Sequence, residues 1–210
     1  MVHSRSAFED ENFATFWHQV SGRYGQTYKQ YVIDPCMFKL MGRLKNKVVL
    51  DLGCGNGYLG PRFLKAGVKK VILMDISPHN IRFAKEATQS KKAVFIQQDA
   101  TKKWKVPSNS LDIVFTDMML NEVENVKTPL KEAFRCLKSG GQIIAAVTHP
   151  AWDLYEFALE KAKKPTGILK GAGPYFFRGQ SKFVMGTQTK TSSWTRVSRY
   201  FRSRALSKTS

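Results

Sequence analysis

Apolar residues follow two rhythms along this chain. Between residues 8 and 44 they recur at roughly helical spacing. Phe8, Phe13, Phe16, Trp17, Val20 and Tyr24 come first, then Tyr28, Tyr31 and Val32, then Met37, Phe38, Leu40 and Met41 after Pro35. Gly22 and Gly25 break the run into successive helical stretches. From Lys47 the rhythm changes, and short apolar runs alternate with helical segments. Lys47–Leu52, Val71–Met74, Ala93–Gln97, Leu111–Thr116 and Gln142–Thr148 read as strands. Tyr58–Ala66, Pro78–Gln89 and Thr128–Leu137 read as the helices between them, the last stopped by Ser139-Gly140-Gly141. A strand apolar at nearly every position is buried on both faces, which means a parallel sheet covered by helices. The expected fold is therefore α/β: a Rossmann-like, doubly wound, mostly parallel sheet with helices on both faces and right-handed crossovers.

Past residue 148 the pattern changes again. Trp152–Lys163 reads as an amphipathic helix and Gly167–Pro174 as a loop. Tyr175–Phe177 and Lys182–Met185 are expected to pair as a hairpin across Arg178-Gly179-Gln180. From Thr187 the chain is rich in Ser, Thr and Arg. Four segments follow: an N-terminal helical cover (1–46), a core (47–149), a cap (150–186) and a basic, flexible tail (187–210).

Charge sharpens this division. The 210 residues carry 34 Lys+Arg against 16 Asp+Glu, a net of +18. Residues 161–210 hold 12 of the cations and no acid, so two thirds of the excess lies there. Such a segment suits phosphate or an anionic surface, but a solvated or disordered tail is the plainer reading, since charge alone rarely specifies a partner. The apolar runs fall well short of the roughly 20 residues a membrane helix needs, so no span is expected. Met1-Val2-His3-Ser4-Arg5-Ser6 leads into charges rather than a secretory apolar region. Cys36, Cys54 and Cys136 are odd in number and far apart, which fits a reducing, cytoplasmic compartment; no Cys/His cluster has metal spacing.

The candidate chemistry starts at Val48-Val49-Leu50-Asp51-Leu52-Gly53-Cys54-Gly55-Asn56-Gly57, a buried strand running into a glycine-rich turn. Glycines at such a turn let a ligand come close to the backbone. The dinucleotide pattern G-x-G-x-x-G fits imperfectly, because residue 58 is Tyr and the next glycine is Gly60. Asp51 precedes the first glycine, and Asp75 and Asp99 end the next two strands.

With these motifs in order, residues 47–148 resemble the class I S-adenosylmethionine-dependent methyltransferases. The resemblance implies that Gly53, Cys54 and Gly55 form the loop under the methionine part of S-adenosylmethionine. Asp51 would orient that loop or reach the cofactor's amino group through water. Asp75 would grip both ribose hydroxyls, as a carboxylate accepting from a diol can. Ile76 would pack on the adenine, Asp99 and Ala100 would meet its amino group and ring, and Thr116, Asp117 and Met118 would line the cofactor. His149, at the tip of the fifth strand, is the candidate base or orienting group. Trp17 and Tyr24 could cover the cofactor.

A small or medium organic acceptor is expected. Trp152, Tyr155, Tyr175, Phe176 and Phe177 in the cap suit an apolar or planar one. The loop Thr116-Asp117-Met118-Met119 is neither the Asn/Asp-Pro-Pro-Tyr of amino methyltransferases nor a Pro-Cys, so the site does not favour nucleic acid. One departure stands out. The family fold ends with another helix and an antiparallel pair of strands, and residues 187–210 look unable to supply them, so C-terminal strands shortened or missing are expected. A second reading follows: a catalytically impaired protein of this fold that binds nucleic acid or another anionic partner through its basic C-terminus.

Overall fold

The computed structural model describes residues 9–22, 25–123, 125–147, 180–186 and 193–199. The chain divides into two compact units, Met1–Val147 and Thr148–Ser210. In the first, helix α1 (Glu11–Ser21) opens with Asp10 Oδ1 accepting from Phe13 N at 2.9 Å. A π-helical turn (Lys29–Ile33) leads directly into α2 (Asp34–Met41). Then β1 (Val48–Leu52), α3 (Gly60–Lys65), β2 (Lys70–Asp75), α4 (Pro78–Ala87), β3 (Ala93–Gln97), β4 (Leu111–Asp117), a 3₁₀ turn (Met119–Glu122), α5 (Lys127–Cys136) and β5 (Leu137–Ala146) follow.

All five strands are parallel, in the order β3-β2-β1-β4-β5. The expected α/β fold is therefore present. The order reverses at β1, so the crevice outside the ends of β1 and β4 is the place such sheets bind ligands. Period-two alternation accounts for the continuous apolar runs. Val49, Val71, Leu73, Ile113 and Phe115 pack to one face with Met37, Met41, Phe63 and Ile81. Leu50, Leu52, Ile72, Met74 and Val114 pack to the other with Trp104, Val106, Ala133 and Cys136. Each such side chain contributes about 1.5–3 kcal/mol by leaving water.

Two expectations need correction. Strand β5 begins at Leu137, not Gln142, because Leu137 pairs with Leu111 before the register resumes at Ile113 and Gln142. The intervening Ser139-Gly140-Gly141 is thus an irregularity within the strand rather than a break before it, and Gly140 supplies the positive φ of 75°. The second correction is in the other unit. There β6 (Gln180–Gly186) pairs antiparallel with β7 (Ser193–Arg199), Lys182 opposite Val197 and Met185 opposite Trp194, so Gln180, read as part of a turn, belongs to a strand; Tyr175–Phe177 lie outside the described residues. The Ser/Thr-rich stretch does supply a strand, since Thr, Val and Trp tolerate the pleat well. Among the described residues the five-stranded sheet ends at β5, and β6 and β7 form a separate two-stranded sheet. No helix among the described residues is long and apolar enough to cross a membrane.

Candidate cofactor site

The site grows from the strand ends. β1 is central and fully covered, so Asp51, its fourth residue, is carried into the interior at 2% exposure. The chain then turns through Gly53, Gly55 and Gly57, at φ of 75°, 53° and 73°. These glycines do different work. A Cβ on Gly53 would lie 2.5 Å from the Met119 side chain, and one on Gly57 would lie 2.6 Å from Ala84 Cβ, so both serve close packing. A Cβ on Gly55 would meet nothing within 4 Å, so its outer side is open.

The loop amides point inward. Gly53 N and Cys54 N both donate to Met74 O, at 2.8 and 3.0 Å. Gly55 N donates to Asp75 Oδ2 at 2.9 Å. Those three N–H groups are spent within the protein, which is unlike a turn that cradles a pyrophosphate. Asp75 Oδ1 accepts from Ser77 N at 2.9 Å and from Asn80 Nδ2 at 3.2 Å. Ser77 caps α4 through Asn80 N at 3.3 Å. Burial pushes the Asp75 carboxyl above the usual carboxylate range, against these hydrogen bonds.

The other positions fall around this pair. Ile76 is partly exposed beside Asp75. Asp99 follows β3 and its Oδ1 accepts from Thr101 N and Oγ1 at 2.8 and 2.7 Å. Ala100 is fixed by its carbonyl, which accepts from the Trp104 indole at 2.9 Å. Cys54 is buried, and burial together with Asp75 and Asp51 raises its thiol well above the ordinary value, so it is an inert small side chain. Thr116 is buried at the end of β4. Met118 adopts a left-handed φ of 62° and donates its N–H to Ala146 O at 3.0 Å. A side chain in that conformation costs about 1–2 kcal/mol. His149, Tyr24, Trp152, Tyr155 and Tyr175–Phe177 lie outside the described residues.

Sequence reasoning passed over several groups. Asn56 Nδ2 donates to Gly22 O at 3.0 Å, and His18 stacks on Phe83 with centroids 4.0 Å apart, so α1 docks onto the loop and α4. Buried Asp34 accepts from Tyr58 Oη at 3.1 Å and pairs with Arg62, joining α2 to the loop's exit. Lys29 Nζ lies 2.8 Å from Asp117 Oδ2. Tyr31, Val32 and Leu40, read as apolar positions, face outward at 70, 62 and 65% exposure. The inward positions Lys29, Asp34, Met37 and Met41 explain this. The first step spans five residues because the turn is π-helical, and that spacing does not read as an α-helical face.

Acid dominates the pocket. Asp117, Asp75 and Asp34 all push on Asp51, whose carboxyl is raised well above the ordinary range first by burial and then by those charges, with Lys29 acting against them. Asp51 Oδ2, Thr116 Oγ1 and both Asp117 carboxylate oxygens are buried with no hydrogen-bond partner among the described residues, Lys29 meeting Asp117 Oδ2 as an ion pair alone. They ask for a ligand that donates hydrogen bonds and carries positive charge.

A family model described as a methyltransferase domain matches residues 43–172, more than half of the chain. The chain belongs to the class I S-adenosylmethionine-dependent methyltransferases. A demethylmenaquinone methyltransferase of Lactococcus lactis is 32% identical over 174 residues, covering 75% of this chain and 67% of that one. A ubiquinone/menaquinone biosynthesis C-methyltransferase of Hydrogenovibrio crunogenus is 32% identical over 144 residues, covering 62% and 54%. The chain thus spans about half to two thirds of the length of the curated relatives it matches. In fold it is similar to an S-adenosylmethionine-dependent methyltransferase from Mesorhizobium loti, with a TM-score of 0.54 and 23% identity over 61% of this chain and 57% of that one. It is also similar in fold to one from Aquifex aeolicus, with a TM-score of 0.55 and 18% identity over 71% and 87%.

S-adenosylmethionine is the cofactor of this methyltransferase family, and the donor set fits it. The orphaned oxygens at the ends of β1 and β4 match a ligand bearing an ammonium and a sulfonium. Among the described residues, no group of three or more His, Cys, Asp or Glu is arranged to hold a metal.

Proposed function

We propose that this chain transfers a methyl group from S-adenosylmethionine to a small or medium organic acceptor. The buried Asp51, Asp75 and Asp117 around an inward-bonded glycine loop carry this reading. Asp75 would take the ribose hydroxyls on carboxylate electron pairs that its three N–H partners leave over. Gly55 would pass the amino-acid arm across its open side. Asp99, Ala100 and Ile76 would line the adenine, and Thr116 and Met118 the reacting end. S-adenosylmethionine supplies an electrophilic methyl on a positively charged sulfur. The residues around it have little covalent chemistry to perform; they position the donor in line and exclude water. Where the acceptor must lose a proton, His149 is the proposed base. The inward-turned amides of Gly53, Cys54 and Gly55 count against a pyrophosphate-bearing cofactor.

The quinone-biosynthesis names of two relatives support a quinone-type acceptor within that class. Trp152, Tyr155 and Tyr175–Phe177 suit a planar ring. The proposed setting is the cytoplasm, which the free state of all three cysteines supports. A second reading, nucleic-acid binding without turnover, rests on the 12 cations and no acids of residues 161–210. Calorimetric titration of S-adenosylmethionine and S-adenosylhomocysteine, followed by labelled methyl transfer into a metabolite extract, tests the main reading. Binding with transfer supports it. A folded protein that binds neither compound, yet binds nucleic acid with a steep salt dependence, sinks it in favour of the second.

A further inference from the structure

The cation inside the acidic pocket comes from the protein itself. Lys29 projects from the π-helical turn of the N-terminal cover, and its side chain is 18% exposed. Its Nζ sits 2.8 Å from Asp117 Oδ2, whose side chain is 7% exposed. Asp51 on β1 pairs in register with Phe115, and Asp117 ends β4 two residues further along the same strand. Asp117 Oδ1, Asp51 Oδ2 and Thr116 Oγ1 meet no donor among the described residues. One lysine ammonium therefore faces a pocket with more buried acid than it can neutralise. A buried carboxylate without a counter-charge is strongly disfavoured, and Lys29 supplies one to Asp117.

Resting on the cofactor reading above, we propose that Lys29 is a displaceable counter-cation. Its ammonium holds, in the ligand-free protein, the place at Asp51 and Asp117 that the amino group of the cofactor's amino-acid arm takes on binding. The cover and the cofactor thus compete for one anionic pocket. A ligand shifts such an equilibrium only by contacts that differ between the two states. An adenosine compound carrying the amino-acid arm makes that contact, and one without the arm does not. Lys29 then works as a gate that yields to the full cofactor and ignores its truncated breakdown products. The π-helical turn suits the role, since turns of this kind are rare and cluster where function demands an off-register side chain.

The test uses the full chain and two probes, S-adenosylhomocysteine and 5′-methylthioadenosine, which lacks the amino-acid arm. Lys29→Met is expected to melt at a lower temperature than wild type when ligand-free. It should bind S-adenosylhomocysteine about tenfold more tightly, an ordinary size for coupling between two such events. Binding of 5′-methylthioadenosine should stay within about twofold, inside the scatter expected of uncoupled sites. Weaker binding of S-adenosylhomocysteine by Lys29→Met overturns the proposal, because Lys29 then assists the cofactor. Unchanged binding of both overturns it as well. A second measurement needs no variant. Lysine acetylation of wild type, followed by mass spectrometry, should label Lys29 faster with S-adenosylhomocysteine and no faster with 5′-methylthioadenosine. Labelling that slows or stays constant with S-adenosylhomocysteine removes the gate. Wild-type protein that binds neither probe overturns the cofactor reading together with it.

Discussion

Asp75 Oδ2 accepts the N–H of Gly55 at 2.9 Å, so a carboxylate at the end of β2 holds the loop at the end of β1. The same group is proposed to face the ribose, and the two roles separate by substitution. Asp75→Ala is expected to weaken S-adenosylhomocysteine binding about 100-fold, or close to 3 kcal/mol. Asp75→Asn keeps one acceptor and should lose about tenfold. Calorimetric titration gives both values. Equal affinity for wild type and Asp75→Ala would remove Asp75 from the site.

Gly53 and Gly55 are predicted to respond differently to the same added methyl. Gly53→Ala drives Cβ into Met119 at a positive φ and should destabilise the fold by about 2–3 kcal/mol. Met119→Ala in the same chain should restore part of it. Gly55→Ala meets open space and carries only the conformational term, about 1 kcal/mol, yet it should obstruct the cofactor. Urea melts and titrations on the same samples distinguish the two.

Asp51 governs a pH dependence. Its carboxyl is raised in the folded protein, chiefly by burial, above its ordinary 3.8. Above that ordinary value the unfolded chain has released a proton that the native state keeps. Stability therefore falls as pH rises through the interval up to the folded value, and then levels. Asp51→Asn removes this term. The variant should be more stable than wild type at neutral pH, and its melting temperature should decline less between mildly acidic and neutral buffer. A parallel decline in both proteins would contradict the assignment.

Glu132 behaves in the opposite sense. Arg135, 2.6 Å from Oε2, and the N–H of Trp104, 2.8 Å away, hold its carboxyl below the ordinary 4.5. Its contribution is present above that value and fades as pH falls through the lower folded one. Glu132→Ala leaves the buried Trp104 N–H without its acceptor and Arg135 without its counter-charge, though Arg135 keeps Ser108 Oγ and the carbonyls of Trp104 and Val106, and should cost about 2 kcal/mol at neutral pH. Equilibrium unfolding checks the loss, which should shrink in acid.

Helix α1 should detach on its own. His18→Ala removes the stack on Phe83, and Asn56→Ala removes the bond to Gly22 O. Hydrogen exchange over residues 11–21 should quicken in both variants while β1, β2 and β4 stay protected. Faster exchange across the whole sheet would mean that α1 is part of the cooperative core.

Strand and helix order were legible because β1, β2 and β4 are buried on both faces and so read as unbroken apolar runs. Asp51, Asp75 and Asp99 stood out because parallel strands bring the residues at or just past their carboxyl ends to one end of the sheet. Lys29 was not, since a five-residue step to Asp34 belongs to no α-helical face. Gly57 looked like its neighbours in the loop, and only the approach of Ala84 separates packing from an open face. The start of β5 was hidden by Ser139-Gly140-Gly141, which signals a break in most contexts and here is accommodated as a strand irregularity.

The central place of β1 has a consequence for synthesis. One edge of β1 pairs with β2, which follows it closely, and the other pairs Val49 with Ile113, far along the chain. A ribosome delivers the first neighbour long before the second. Until Leu111–Asp117 emerges, the strand bearing Asp51 presents an open apolar edge, a template for the wrong partner. Nascent chains stalled before Leu111 are therefore expected to be the ones that need chaperones, while those that have cleared Ala146 carry all five strands of the described sheet.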